Sequence, residues 1–147
     1  MPRRAKRTAD SGTYILVMDL SKKAIIQPGA LPPAEYPPGI YLYVGRARRG
    51  LSSRLARHFR QRKKIFWHID YLLQRASLID VWVSKDTDLE CRTARRIPSL
   101  VKHIALVQKR FGASDCGCSA HLFYTRSGEG LETVRLALGF ERSERWK

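Results

Sequence analysis

Two side chains that could act on an anionic ligand, Arg54 and His58, are four residues apart in the sequence. Residues 51–61 carry apolar side chains at every fourth position, which predicts a helix with one apolar face. The same spacing places Arg54 and His58 together on another face of that helix. A guanidinium group is a planar fork that suits phosphate oxygens. The pair alone is more often part of a solvated helix surface.

The charge of the chain indicates what the ligand is. The 147 residues include 28 Lys and Arg against 13 Asp and Glu, a net charge of +15. Because such a charge opposes compaction by self-repulsion, a polyanionic partner is expected, and nucleic acid fits best. No apolar run approaches the roughly 20 residues that span a bilayer, and residues 1–10 lack the apolar stretch of a secretory signal. We therefore expect a cytoplasmic, nucleoid-associated protein with no membrane partner.

The patterning predicts one domain over residues 11–147, preceded by a disordered basic arm at 1–10. We expect an α+β (mixed α/β) fold, with a small, largely antiparallel sheet of three to four strands flanked by helices. Five prolines predict an inserted loop at 27–39. The predicted strands are 13–20, 40–45, 78–83 and 121–124, and the predicted helices are 51–61, 68–74, 88–109 with Pro98 inside it, and 131–138.

Two short motifs contain glycine and tyrosine at strand ends. Gly12-Thr13-Tyr14 begins the first predicted strand, and Tyr43-Val44-Gly45 ends the second. A literal Gly39-Ile40-Tyr41 lies directly before the latter, on the same strand, with no room for a turn between them. The superfamily that the chain resembles, described next, pairs two such motifs on separate strands, which makes Gly12-Thr13-Tyr14 the first motif here. Without this order, both tyrosines would be ordinary strand aromatics.

These motifs, together with the helical and cysteine-containing segments after them, resemble the GIY-YIG nuclease superfamily. The most similar branch is an uncharacterised-domain family that is sometimes fused to endonuclease III-type DNA glycosylases. The resemblance runs from residue 12 to about 125, and it is carried by the stretches YLYVGRA, RLARHFR, WHIDYLL, ECRTAR and SDCGCSAHLFY.

The resemblance implies a divalent-metal-dependent endonuclease that hydrolyses DNA, with five residues in named roles. Glu90 would be the sole protein ligand of one Mg²⁺ or Mn²⁺ ion. Arg54 would hold the scissile phosphate. Tyr14 or Tyr43 would contact or deprotonate the attacking water, and His58 would orient the water or share the proton transfer. A tyrosine has an unperturbed pKa of about 10, so we expect the surrounding cations to lower it.

Further basic residues would bind the nucleic acid. We expect contacts to duplex DNA, intact or damaged, from Arg46, Arg48, Arg49, Arg57, Lys63, Lys64 and His68. A role in repair, with a DNA glycosylase or another repair factor as partner, rests on the fusions in that family. A chain with one active site would act as a monomer or weak dimer and cut one strand at a time, which favours a lesion-directed or nicking activity.

Two features favour a different interpretation. Residues 87–90 (TDLE) fit a capping box, in which Glu90 would bond back to the start of its helix. The family often carries an asparagine near the metal, and this chain has none. A non-catalytic, basic nucleic-acid-binding module with the same fold is therefore the alternative function.

Cys116, Cys118 and His121 form a C-x-C-x-x-H pattern. Structural zinc needs four ligands, and Cys91, His68 or His103 would complete the set only if the fold brought one close. We expect instead small packing residues in a tight loop, with His121 at a strand end or lining the groove, and no structural zinc. Three cysteines are also a poor disulfide framework.

Overall fold

The computed structural model describes residues 10–113 and 116–143. The predicted basic arm lies outside the described residues except for Asp10. Asp10 makes defined hydrogen bonds, which contradicts the predicted disorder at that position. The Asp10 carboxylate accepts hydrogen bonds from the backbone N–H of Ser52 (2.9 Å) and from its hydroxyl (2.8 Å). Asp10 thus satisfies a donor in the first turn of the helix that carries Arg54.

The predicted α+β class is confirmed, with a central antiparallel sheet of five strands. Its order is β6-β4-β1-β5-β7, and a separate hairpin pairs β2 with β3. The strands are β1 (Gly12–Leu20), β2 (Ala24–Ile26), β3 (Ala34–Tyr36), β4 (Gly39–Ala47), β5 (Ser77–Ser84), β6 (Leu122–Thr125) and β7 (Glu141–Arg142).

The sheet has more strands than the predicted three to four. The strand β7 was not predicted because it is only two residues long, too short for a periodic pattern in the sequence. The predicted loop at 27–39 is wrong in part. Three of its residues form β3, whose backbone pairs with β2. The prolines lie outside those three residues, so they do not interrupt the pairing.

Four helices pack against the sheet in the described part of the chain: α1 (Leu51–Phe59), α2 (His68–Leu73), α3 (Glu90–Leu100) and α4 (Leu131–Leu138). The described residues include no helix long and apolar enough to cross a membrane. The prediction of one helix over 88–109 is wrong, because α3 ends at Leu100. Pro98 lies in its last turn and cannot donate a backbone hydrogen bond. Beyond it, Ala105 exchanges two backbone hydrogen bonds with Tyr124 of β6, so sheet pairing replaces the helix.

The two faces of the sheet carry separate apolar cores. Alternate residues of β1 point to opposite faces, so Tyr14 and Leu16 join one core and Ile15 and Val17 join the other. Helices α1 and α2 cover the first face through Leu55, Ile69 and Leu72. Helices α3 and α4 cover the second through Ala94, Ile97 and Val134. The fold therefore has three layers.

A buried ion pair joins α1 to the start of α2. The Asp70 carboxylate is fully buried and accepts two hydrogen bonds from the Arg57 guanidinium, both 2.9 Å long. It also accepts the backbone N–H groups of Phe66 and Trp67, each at 2.9 Å. Burial raises the pKa of Asp70, but the hydrogen bonds from Arg57 and the backbone outweigh it, so its pKa lies below the ordinary value. The pair fixes the segment that carries Phe66 and Trp67.

We expect Asp70→Ala to lower the free energy of unfolding by about 3 kcal/mol, because it leaves Arg57 largely buried without a counter-charge. Urea denaturation followed by circular dichroism measures this loss. Asp19→Ala, at an exposed position of β1, is the control and should change stability by less than about 0.5 kcal/mol. Equal stability of the two variants would contradict this account of Asp70.

Candidate active site

The register of β1 and β4 brings the two glycine–tyrosine motifs together. Tyr14 pairs with Gly45, and Leu16 pairs with Tyr43. Both tyrosines therefore lie on the same face of the sheet, with ring centroids 6.5 Å apart. A Cβ at Gly45 would lie 2.5 Å from a ring carbon of Tyr14. Only glycine allows the Tyr14 ring to cross β4, which gives the second motif a physical reason for its glycine.

A pocket of about 440 Å³ opens at this point, and five elements of the fold contribute to it. Its lining includes six of the residues predicted to be functional: Tyr14, Tyr43, Arg46, Arg54, His68 and Glu90. Three further lining residues, Phe66, Trp67 and Gly112, were not among those assigned to the site. The pocket has two guanidinium groups and one carboxylate, so its charge suits a phosphate.

His58 lies behind the pocket and not in it. Its Nε2 is 2.8 Å from the Tyr14 hydroxyl, and the side chain is only 3% exposed. Burial, aided by the nearby Lys63 ammonium, lowers the pKa of His58 to about 3, so the ring is neutral. Its Nε2 can then accept the Tyr14 proton, which leaves oxygen lone pairs of Tyr14 for another donor. The structure thus gives His58 a contact with Tyr14 in place of the expected contact with water.

The cations around the tyrosines do not lower their pKa values as expected. Burial raises the pKa of Tyr14 to about 12, although Arg54 partly offsets the shift. Burial also raises the pKa of Tyr43 well above its ordinary value. Both hydroxyls are therefore protonated at neutral pH. They are suited to orienting a water molecule by hydrogen bonds.

Arg54 presents its guanidinium to the pocket. One of its amino groups donates to the backbone carbonyl of Arg46 at 2.9 Å, and its Cζ lies 4.5 Å from the Trp67 ring centroid. Arg57 is at a similar distance from Trp67, 4.4 Å, but it is bonded to Asp70. The stacking and the carbonyl bond fix the direction of the Arg54 fork.

Glu90 is the first residue of α3, and it does not form the capping box considered from the sequence. The N-cap is Leu89, without a side-chain cap hydrogen bond. The Glu90 carboxylate instead lies 3.6 Å from Nε of Arg46 and 3.2 Å from Nδ1 of His121. Its side chain is one-fifth exposed and lines the pocket. The carboxylate is therefore directed towards the tyrosines and Arg54.

The remaining basic residues fall into two groups. Arg48, Arg49 and Lys64 are exposed outside the pocket lining, where long-range attraction to a polyanion is their available role. Arg57 and Lys63 are engaged within the protein. The Lys63 ammonium donates to the carbonyls of Arg57 and His58 at the end of α1, at 3.1 and 3.0 Å, and so supports that helix end.

His68 is held at the pocket by a backbone contact. Its Nδ1 accepts the N–H of Gly112 at 2.8 Å, and burial lowers its pKa below the ordinary value. The neutral ring then carries its proton on Nε2 as a donor. Gly112 has φ +71°, and a Cβ there would lie 2.8 Å from the Tyr43 ring. Glycine is thus required at this position. The spacing of residues along the chain does not indicate this requirement.

The cysteine and histidine pattern forms a compact cluster beside Glu90. One potential ligand atom from each of Cys91, Cys116, Cys118 and His121 lies within 4.8 Å of the other three. A smaller cavity of about 200 Å³ contacts three members of this cluster together with Arg46 and Glu90. The expectation of unrelated packing residues does not describe this arrangement, because Cys91 of α3 completes a set of four.

The chain belongs to the family described as Domain of unknown function DUF123, whose model matches residues 13–139. The match includes every residue that lines the pocket. No curated protein and no solved structure is significantly similar to the chain. The family description assigns no activity, so the function must be argued from the site.

The burial of His58 predicts a pH dependence of stability. Its folded pKa of about 3 lies below the ordinary 6.5, so between these values the unfolded chain binds a proton that the folded protein excludes. The free energy of unfolding therefore falls as the pH decreases through this window. We expect His58→Gln to remove on the order of 3 kcal/mol of the loss between pH 7 and pH 4.

Urea denaturation at a series of pH values measures that slope. His103→Asn removes an exposed histidine and should keep the slope of the native chain. Parallel slopes for the native chain and His58→Gln would show that His58 titrates as an ordinary exposed group.

Proposed function

We propose that this protein is a divalent-metal-dependent endonuclease that hydrolyses phosphodiester bonds of DNA. The observation that carries the proposal is the convergence of Tyr14, Tyr43, Arg54 and Glu90 on one pocket. These residues come from four different elements, and the resemblance to GIY-YIG nucleases assigns each of them a role. The net charge of +15 supports a nucleic-acid substrate.

The phosphate would lie between the two guanidinium groups and Glu90. The Arg54 fork is preoriented by Trp67 and by the Arg46 carbonyl, so it can bind two phosphate oxygens without reordering. The 3.6 Å contact between Arg46 and Glu90 is loose. A phosphate could therefore attract Arg46 away from Glu90, and the proton on Nε2 of His68 supplies a further donor.

Glu90 fits the role of ligand for one Mg²⁺ or Mn²⁺ ion. Its carboxylate is partly exposed in the pocket, and Mg²⁺ is commonly held by one or two carboxylates plus waters and substrate phosphate. Among the described residues, the one group of three or more potential metal ligands is the cysteine and histidine cluster. Its ligands are mainly thiols, which do not favour Mg²⁺ or Mn²⁺, so it does not compete with Glu90 for such an ion. When bound, the ion would neutralise the phosphate and stabilise the charge of the transition state.

Tyr14 would orient the attacking water. Its hydroxyl lies 2.8 Å from Nε2 of His58. If the hydroxyl donates its proton to that nitrogen, its oxygen can accept a hydrogen bond from water on the pocket side. The raised pKa of Tyr14, about 12, favours this orienting role over that of a base already ionised before substrate binds. Tyr43 lies beside it in the same pocket and can hold the same water or a phosphate oxygen.

A second candidate, a non-catalytic DNA-binding module, is favoured by one observation. Glu90 contacts both Arg46 and His121, so its charge already has partners within the protein. The proposed repair role and glycosylase partner rest on the fusions in the family that the chain resembles. The proposed nucleoid location in the cytoplasm rests on the charge of the chain, and the monomeric or weakly dimeric state rests on a single active site. Cleavage distinguishes the two candidate functions, so it is tested first.

We expect Glu90→Gln to reduce metal-dependent cleavage by about 100-fold or more, because it removes the charge that holds the ion. The measurement is incision of supercoiled and damaged duplex DNA with Mg²⁺, Mn²⁺ or EDTA. DNA binding in EDTA should be retained, since the arginines are unchanged. Glu129→Gln, at an exposed position before α4, is the matched control and should cleave normally.

Two outcomes would contradict the proposal in different ways. Full cleavage by Glu90→Gln would remove Glu90 from the metal site. Tight binding without cleavage, for every metal and lesion tested, would establish the binding module instead.

The exposed ring of Phe66 predicts contact with an unstacked base. Phe66 is 73% exposed, lines the pocket and packs edge-on against Trp67 at 5.5 Å. Because base–aromatic stacking contributes about 1–3 kcal/mol, Phe66→Ala should weaken binding to a duplex with an extrahelical base by that amount. Binding to fully paired DNA should change less.

Fluorescence of 2-aminopurine at the extrahelical position reports the stacking. Leu106→Ala removes an exposed apolar side chain outside the pocket lining and should leave the signal unchanged. An identical loss for both DNA substrates would contradict base stacking by Phe66.

A further inference from the structure

We propose that Cys91, Cys116, Cys118 and His121 bind one zinc ion, and that His121 links this ion to Glu90. The zinc site goes beyond the proposed nuclease function. It is carried by the positions of the four side chains and by the contact of His121 with Glu90.

The spacing of the ligand atoms matches a zinc tetrahedron. With Zn–S bonds of about 2.3 Å and a Zn–N bond of about 2.0 Å, a tetrahedral site has S–N edges of about 3.5 Å and S–S edges of about 3.8 Å. In the structure, Nε2 of His121 lies 3.8 Å from Sγ of Cys91 and 3.5 Å from Sγ of Cys116. All four ligand atoms lie within 4.8 Å of one another. Small shifts would complete the coordination.

The ligands come from two segments that are far apart in the sequence. Cys91 is in the first turn of α3, Cys116 and Cys118 lie in the irregular segment before β6, and His121 directly precedes that strand. A shared ion would fasten this segment to α3. Structural zinc sites commonly stabilise such short segments, because binding the ion contributes folding free energy.

The donor set also selects the kind of ion. Thiolates and imidazole favour zinc, whereas a carboxylate with waters favours Mg²⁺ or Mn²⁺. The cluster and Glu90 are neighbours, and they would nevertheless hold different ions. The zinc site would have all four positions filled by protein, which is typical of a structural site and not of a catalytic one.

His121 connects the two sites through its two ring nitrogens. If Nε2 binds zinc, the ring proton must be on Nδ1, which lies 3.2 Å from a Glu90 oxygen. Zinc-bound histidines usually donate the proton of their other nitrogen to a carboxylate or carbonyl. Nδ1 of His121 is buried without a hydrogen bond of good geometry, so a small turn of the ring would direct its proton to Glu90. The His121 backbone is itself fixed, since its carbonyl accepts the N–H of Val44 at 2.9 Å and its N–H donates to Phe111 at 2.8 Å. His121 would therefore be a positioning residue for Glu90.

Metal content tests the site. The full chain, purified without chelators or metal-affinity resin, should contain about one zinc per protein by elemental analysis. Cys91→Ser and Cys118→Ser should each lose most of this zinc. His103→Asn, which removes an exposed histidine outside the cluster, should keep it. Absence of zinc, failure to take it up on titration, stoichiometric iron in its place, or a disulfide among these cysteines would overturn the site.

Cobalt substitution tests both the coordination and the link to Glu90. Co²⁺ bound by thiolates in a tetrahedral site should show a sulfur-to-metal charge-transfer band and strong visible absorption, and Cys118→Ser should abolish or alter both. Glu90→Gln should retain stoichiometric Co²⁺ but shift the visible band, because the partner of Nδ1 changes the ligand basicity of His121. Glu129→Gln is the control and should leave the band in place.

An unshifted band in Glu90→Gln would overturn the link while leaving the zinc site intact. None of these measurements uses DNA. Zinc without DNA cleavage would therefore contradict only the proposed function, and cleavage without zinc would contradict only this inference.

Discussion

The antiparallel register between β1 and β4 is the constraint on which the candidate site depends. Because side chains alternate along a strand, a slip of one residue would turn Tyr14 or Tyr43 to the opposite face of the sheet. The pairing of Tyr14 with Gly45 also provides the gap in which the Tyr14 ring lies. That ring then contacts His58 of α1, so the strand register also sets which face of α1 meets the sheet.

The site separates neutral groups from charged ones by depth. Tyr14 and His58 are almost completely buried and stay neutral, since burial penalises ionisation of both. The charged groups of Arg54 and Glu90 lie at the pocket surface, where they can contact water or a phosphate. The layering gives a rigid set of hydrogen-bonding groups beneath a charged rim. Such preorganisation is what binding a phosphate in one orientation requires.

Glu90 lies where two kinds of chemistry meet. On one side are the tyrosines and Arg54 of the pocket, and on the other are His121 and the thiols. Its position at the start of α3 explains this, because the helix begins between the end of β4, where Arg46 lies, and the irregular segment before β6. The helix N-terminus also favours a negative charge there. On our proposals, a hard and a soft metal ion would share this boundary through a single carboxylate and a single imidazole.

The sequence by itself determined the parts that depend on local composition and period. Runs of β-branched, aromatic and aliphatic residues predicted the long strands, and the fourfold apolar spacing predicted α1. The family resemblance placed Tyr14 and Tyr43 at one site. Tertiary structure, together with Pro98, decided where the helix beginning at Glu90 ends, since Pro98 cannot donate a helical hydrogen bond and Ala105 pairs with the sheet. It also decided the raised tyrosine pKa values, the partners of Glu90 and the meeting of Cys91 with the distant thiols. These properties depend on burial and on contacts between residues far apart in the chain, which a local pattern does not encode.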